Sequence, residues 1–230
     1  MTDTKLEVCE RKQLDFCNDF ETQDTRNVSV KVKICGITSV EDARAALECG
    51  ADFIGLNFYE KSPRYVALDR AREISSTIEG AAHVVGVFVN ASREYVMERI
   101  EAVRLAMVQF HGDESEDFLS RWPAPVIRAI RIPPGEQVRA LPASRADFIL
   151  IDTFHPGLYG GTGESRRISD LRGLDLSRVF LSGGLTCENV AEAAALSPYA
   201  VDVASGVESA PGVKDHRKLR RFIENAKSTR

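Results

Sequence analysis

The chain has 230 residues, enough for one large domain with a substantial core. Its 30 Lys+Arg against 34 Asp+Glu leave a formal charge of -4 with no basic stripe, which argues against a nucleic-acid partner. No apolar run is long enough to span a membrane, no signal-peptide core precedes the first strand-like run, and five cysteines without C-x-x-C spacing suggest neither a disulfide scaffold nor a zinc site. A reducing, cytoplasmic setting is therefore expected.

Residues 1–27 are polar with mixed charge and read as an N-terminal extension, with some helical character at 14–20. From 28 to 230 the chain alternates, as one catalytic domain. Apolar, β-rich runs fall at 30–34, 53–58, 83–89, 107–111, 126–132, 148–152, 179–181 and 200–204. Segments with helical spacing lie between them. The first has Ser39 as a candidate cap, Val40, Ala43 and Leu47 on one face, and Gly50 as its stop. The last carries Leu219, Phe222, Ile223 and Ala226 at helical spacing. Pro133-Pro134-Gly135 is expected to end the fifth strand. Eight strands, each followed by a helix or a helical turn, predict an α/β fold of the closed (β/α)8 TIM-barrel type. A doubly wound open sheet would normally carry a Gly-rich dinucleotide fingerprint after its first strand, and Cys35-Gly36-Ile37-Thr38 stands there instead.

Side chains alternate across a strand, so each run sorts its residues between the helices and the barrel interior. In the first run Val30, Val32 and Ile34 share the apolar face, which turns Lys33 and Cys35 inward. Gln109 and His111 share a face with Met107, Asp152 shares one with Phe148 and Leu150, and Asp202 shares one with Ala200 and Ala204. The first and eighth strands become neighbours when a barrel closes. Lys33 and Asp202 are therefore expected to pair inside it, since a buried charge persists only with a partner.

Catalytic groups of such barrels sit at the C-terminal strand ends. Cys35 is a candidate base there, with the Lys33 ammonium on its face favouring the thiolate. Asp152 ends the sixth run and serves either as a cap or as an acid/base. Ser182-Gly183-Gly184-Leu185 and Ala204-Ser205-Gly206-Val207 follow the seventh and eighth strands, where barrels often bind phosphate. Gly183, Gly184, Ser205 and Gly206 are the candidate cradle. Gly160-Gly161-Thr162-Gly163 lacks the Gly-Lys-Ser/Thr of a P-loop and reads as a loop over the site. Arg64 stands at the rim after the second strand, where a guanidinium can grip a carboxylate in two places. Gln109 and His111 are either satisfied interior groups or substrate contacts.

Together these motifs resemble the phosphoribosylanthranilate isomerases. The matching runs are Lys33-Ile34-Cys35-Gly36-Ile37-Thr38, Ser62-Pro63-Arg64-Tyr65, Gly86-Val87-Phe88-Val89, and Val108-Gln109-Phe110-His111-Gly112-Asp113-Glu114. They continue through Ile151-Asp152-Thr153, Gly160-Gly161-Thr162-Gly163, Leu181-Ser182-Gly183-Gly184-Leu185, the stretch from Val201 to Glu208, and Gly212-Val213-Lys214-Asp215. The resemblance implies a cofactor-free barrel of tryptophan biosynthesis, a monomer or homodimer acting on a small phosphosugar. It would catalyse the Amadori rearrangement of N-(5-phosphoribosyl)anthranilate. It further implies Asp152 as general acid at the ribose ring oxygen, Cys35 as general base at C2, Arg64 on the anthranilate carboxylate, Asp202 among the substrate contacts, and the glycine loops on the phosphate. The stretch Glu164-Ser165-Arg166-Arg167-Ile168 departs from the aromatic-acidic-aromatic pattern common there in the family. Two alternatives stand beside this reading: a related aminoaldose isomerase, for which a carboxylate in place of Cys35 would speak, and a non-catalytic phosphate-ligand barrel.

Overall fold

β-Branched and aromatic runs that carry apolar side chains on both faces cannot stay at a surface, and here they close on one another. The computed structural model describes residues 29–131, 140–152 and 168–228. In chain order they form β1 (Lys31–Cys35), α1 (Val40–Glu48), β2 (Phe53–Asn57), α2 (Leu68–Thr77), β3 (His83–Phe88) and α3 (Arg93–Val103). Then come β4 (Met107–Phe110), β5 (Val126–Arg131), β6 (Phe148–Asp152), β7 (Val179–Ser182), α4 (Val190–Ala194), β8 (Ala200–Val203), β9 (Glu208–Ala210), β10 (Val213–Lys214) and α5 (His216–Lys227). β1 to β8 pair in sequence order as a closed parallel barrel, with β8 returning to β1.

The eight-strand barrel matches the expected fold class. Ser39 caps α1, its hydroxyl accepting from the Asp42 N–H at 3.1 Å. Gly50 follows the helix at φ +93°. Leu219, Phe222, Ile223 and Ala226 are the buried stripe of α5. After β4 the chain makes only turns, including a Leu119 N–H to Ser115 carbonyl bond at 3.1 Å. A 3-10 helix, Ile168–Leu171, precedes β7. The expectations for residues 1–27, for 133–135 and for the 160–163 loop lie outside the described residues. The antiparallel ribbon β9–β10 is an addition to the expected elements, because Glu208–Ala210 and Val213–Lys214 carry no apolar alternation to announce a strand.

The core has two parts. One lies between strands and helices and contains Ile34, Ile54, Val108, Ile151, Leu181 and Phe222. The other fills the barrel with Phe53, Val85, Met107, Ile127, Leu150, Phe180 and Ala200. Aromatic contacts knit its N-terminal end, with Phe148 and Tyr199 centroids 4.6 Å apart and Phe53 and Phe180 5.4 Å apart. Two residues further along β7 and β8 the interior becomes polar, with Ser182 and Asp202 in place of Phe180 and Ala200. The apolar plug thus supports a polar layer under the C-terminal mouth.

Candidate active site

β1 and β8 are in register with Lys33 opposite Asp202, and the expected ion pair is present. The Lys33 Nζ donates to Asp202 Oδ1 at 2.8 Å, the lysine being 0 % exposed. Ser182 Oγ at the end of β7 donates to Asp202 Oδ2 at 3.1 Å. Burial works to lower the Lys33 pKa, but Asp202 and then Cys35 outweigh it, and the net shift is upward.

Cys35 ends β1 next to this pair and is partly exposed. Gly55 on β2 is its register partner, and a Cβ there would come within 2.9 Å of the Cys35 Sγ. The glycine leaves the space the thiol occupies. Burial pushes the Cys35 thiol up, while Lys33 and Lys214 pull it down less strongly. Lys33 does favour the anion, but desolvation in the barrel mouth is the larger effect.

Asp152 stands at the same end of the barrel, on β6, in register with Arg131 of β5 and Ser182 of β7. His111 Nε2 lies 3.8 Å from Asp152 Oδ2, beyond hydrogen-bond reach. The His111 Nδ1 is 3.2 Å from the Gln109 side-chain amide nitrogen. If that amide donates, Nδ1 accepts and the ring proton sits on Nε2, facing Asp152. Burial pushes His111 down despite the opposing Asp152 charge, which favours the neutral imidazole. Gln109 is buried, and its Oε1 has no hydrogen-bond partner among the described residues.

After β7, Gly183 and Gly184 adopt φ +87° and +65°, a turn that L side chains resist and that lets neighbouring N–H groups converge on an anion. Asn189 fixes this turn by donating to the Gly184 carbonyl at 3.0 Å and accepting from the Thr186 N–H at 2.8 Å. After β8, Ser205–Val207 form a 3-10 turn. A Cβ on Gly206 would lie 1.9 Å from the Leu185 carbonyl oxygen, so the two glycine loops touch.

Arg64 makes a two-point grip on a carboxylate of the chain itself. Its Nε and Nη2 donate to Glu208 Oε1 and Oε2 at 2.8 and 2.7 Å. Lys214 Nζ reaches Glu208 Oε1 at 3.0 Å, the Cys35 carbonyl at 2.7 Å and the Ala204 carbonyl at 3.2 Å. Glu208 and Lys214 lie in the family-like runs, yet sequence reasoning assigns them no role. Their pairing joins residues far apart in sequence to Arg64 and Cys35, which no local spacing announces. The structure thus gathers Cys35, Lys33, Asp202, Arg64 and the Gly206 loop around the β1–β8 seam, and Asp152, His111 and Gln109 around β4 and β6. Among the described residues no group of three or more His, Cys, Asp or Glu could hold a metal ion, and no helix is long and apolar enough to cross a membrane.

Comparison with known proteins bears on what this mouth is for. The sequence model of N-(5'-phosphoribosyl)anthranilate isomerase matches residues 32–225. The protein of that name from Geotalea uraniireducens is 46% identical over 199 residues, covering 86% of this chain and 98% of its own. The crystal structure of phosphoribosyl anthranilate isomerase from Thermus thermophilus superposes with TM-score 0.73 at 35% identity, covering 87% of this chain and all of its own. A further isomerase structure, in complex with reduced 1-(o-carboxyphenylamino)-1-deoxyribulose 5-phosphate, superposes with TM-score 0.70 at 36% identity, over 86% of this chain and 99% of its own. By sequence over most of its length and by fold, this chain belongs to the N-(5'-phosphoribosyl)anthranilate isomerase family of enzymes.

Proposed function

We propose that the chain isomerises N-(5-phosphoribosyl)anthranilate to 1-(2-carboxyphenylamino)-1-deoxyribulose 5-phosphate in tryptophan biosynthesis, with Asp152 as general acid and Cys35 as general base. The observation that carries this reading is that a thiol and a carboxyl stand at the C-terminal ends of β1 and β6, two well-separated strands of one barrel mouth. A sugar held between them presents its ring oxygen to one and its C2 hydrogen to the other.

The chemistry follows from that placement. Asp152 gives its proton to the ribose ring oxygen. The C1–O bond breaks with its electron pair going to oxygen, and the nitrogen lone pair closes a protonated Schiff base. C2 is then acidic, and the Cys35 thiolate takes its proton and becomes the thiol. The C2–H electrons form the C1–C2 double bond and neutralise the nitrogen. The enolamine gains a proton at C1 and loses its hydroxyl proton to become the ketone. Atoms balance as an isomerisation with no oxidant. Burial favours the thiol, so Cys35 first gives its proton to solvent, and Lys33 below it stabilises the thiolate that acts as base. Gln109, buried below the mouth, acts on the substrate through His111, whose Nδ1 it holds and whose Nε2 side faces the sugar. Asp202, held between Lys33 and Ser182, faces the sugar from below. Gly183, Gly184, Ser205 and Gly206 cradle the phosphate, and Arg64 meets the anthranilate carboxylate.

The test is the fluorescence change of freshly generated phosphoribosylanthranilate with wild type, Cys35→Ala and Asp152→Asn. Wild type should consume the signal, and each variant should lose about 100-fold or more in kcat, the scale of general acid–base catalysis. A folded wild type that leaves the substrate untouched would refute the activity. A variant with near-native kcat would remove that residue from its role.

A further inference from the structure

Two buried charges near the mouth have no part in the acid–base steps. Glu208 and Lys214 are 7 % and 4 % exposed. Glu208 receives the guanidinium fork of Arg64 on both oxygens, and Oε1 also receives Lys214 and the Gly212 N–H at 3.3 Å. Its own carbonyl accepts from Lys218 at 3.0 Å. The carboxylate is thus fixed from several sides, and Arg64 is fixed by it. Two parallel N–H···O bonds set the plane of a guanidinium as well as its position. Arg64 Nη1 makes no hydrogen bond among the described residues, so one edge of the fork is anchored and the other is left to a ligand. The aliphatic stem of Arg64 lies over Gly36, the residue after Cys35, where a Cβ would come within 2.5 Å of its Cδ. The cation therefore sits beside the candidate base.

Charge balance explains the second cation. A carboxylate facing Arg64 alone would cancel the charge needed to attract an anion. Lys214 meets three acceptors with its three N–H groups, the arrangement of an ammonium. Two cations share one carboxylate, and the cluster keeps one positive charge.

We propose that Glu208 is a positioning residue that sets the plane of the Arg64 guanidinium toward a ring carboxylate, with Lys214 keeping the cluster's net charge positive. This rests on the reading that Arg64 meets the anthranilate carboxylate. The probes are reduced 1-(o-carboxyphenylamino)-1-deoxyribulose 5-phosphate and the matching phenylamino compound without the ring carboxylate. Their Kd ratio, measured by calorimetry, isolates the carboxylate. Wild type should favour the first by about 10- to 100-fold, the scale of a charge-assisted hydrogen bond. Glu208→Gln should cut that ratio about 10-fold while binding of the second compound stays within about 3-fold. Glu208→Asp, which keeps the charge but withdraws the fork, should fall between. If Glu208→Gln does not fold, Glu208→Gln/Lys214→Met removes the pair together, strands no buried ammonium, and should show the same loss. Equal weakening of both compounds, with the ratio kept, would mean a merely structural role and overturn the proposal. Arg64→Met separates the layers. A ratio unchanged by Arg64→Met would refute the carboxylate role of Arg64 itself. A ratio collapsed by Arg64→Met but kept in the Glu208 variants would leave that role and reject positioning by Glu208.

Discussion

Lys33 shows how much one inward-facing charge governs. Its ammonium is buried and answered by Asp202. Lys33→Met would leave that carboxylate unpaired in the barrel, at a cost of about 3–5 kcal/mol. Chemical denaturation at pH 7 checks this, and Lys33→Met/Asp202→Asn should recover part of the loss. The folded pKa of Lys33 lies above the ordinary 10.5, so its contribution is complete below that value and is lost as pH rises through the raised one. The pair's stabilisation should accordingly fade only in strong alkali. Cys35 supplies a second reading of the same charge. Its thiol lies above the ordinary 9.0 because burial outweighs Lys33. Iodoacetamide labelling of Cys35, followed by peptide mass mapping, should rise with pH along a curve displaced upward from a free thiol. In Lys33→Met the curve should move up further. Strand parity makes the Lys33–Asp202 contact legible in the sequence, because two period-2 patterns and one closure rule suffice. The direction of the Cys35 shift is not legible there. It depends on how tightly neighbouring strands enclose the sulfur, and Gly55 and the carbonyl-bound Lys214 have no local signature.

At the scale of elements, caps and loops act separately. Ser92 caps α3, its hydroxyl accepting from the Tyr95 N–H at 3.2 Å. Ser92→Ala should cost about 1 kcal/mol in denaturation, with kcat/KM for phosphoribosylanthranilate unchanged. The glycine loops after β7 and β8 are less forgiving. Gly206→Ala would drive a methyl into the Leu185 carbonyl and push the two loops apart. Steady-state kinetics should show KM rising by about 10-fold or more, with affinity for inorganic phosphate falling in parallel. Helix α5 is readable from its apolar spacing, and its Asp215 cap, which accepts from the Arg217 and Lys218 N–H groups, closes one of the family-like runs. The β9–β10 ribbon is not readable. It exists because Glu208 and Lys214 meet Arg64, Cys35 and Asp42 from other elements, and those partners are set by barrel closure rather than by local pattern.

Across the whole molecule, stability and chemistry occupy different levels of one barrel. The N-terminal level is an aromatic plug, and the C-terminal level carries the polar groups. Phe180→Ala empties a fully buried position in the plug and should cost about 3–5 kcal/mol, read by denaturation. Its KM for phosphoribosylanthranilate should change little at temperatures where it stays folded. The seam that closes the barrel has a consequence in time. Lys33 and Asp202 are 169 residues apart in sequence. During synthesis at ~5–20 residues per second, β1 leaves the ribosome ~10–30 s before the strand that carries its counter-ion. For that interval the first strand has a hydrated lysine and an unpaired edge, and its burial waits on the eighth. A nascent chain stopped before Ala200 holds every other strand of the barrel yet lacks the one that lets Lys33 leave water.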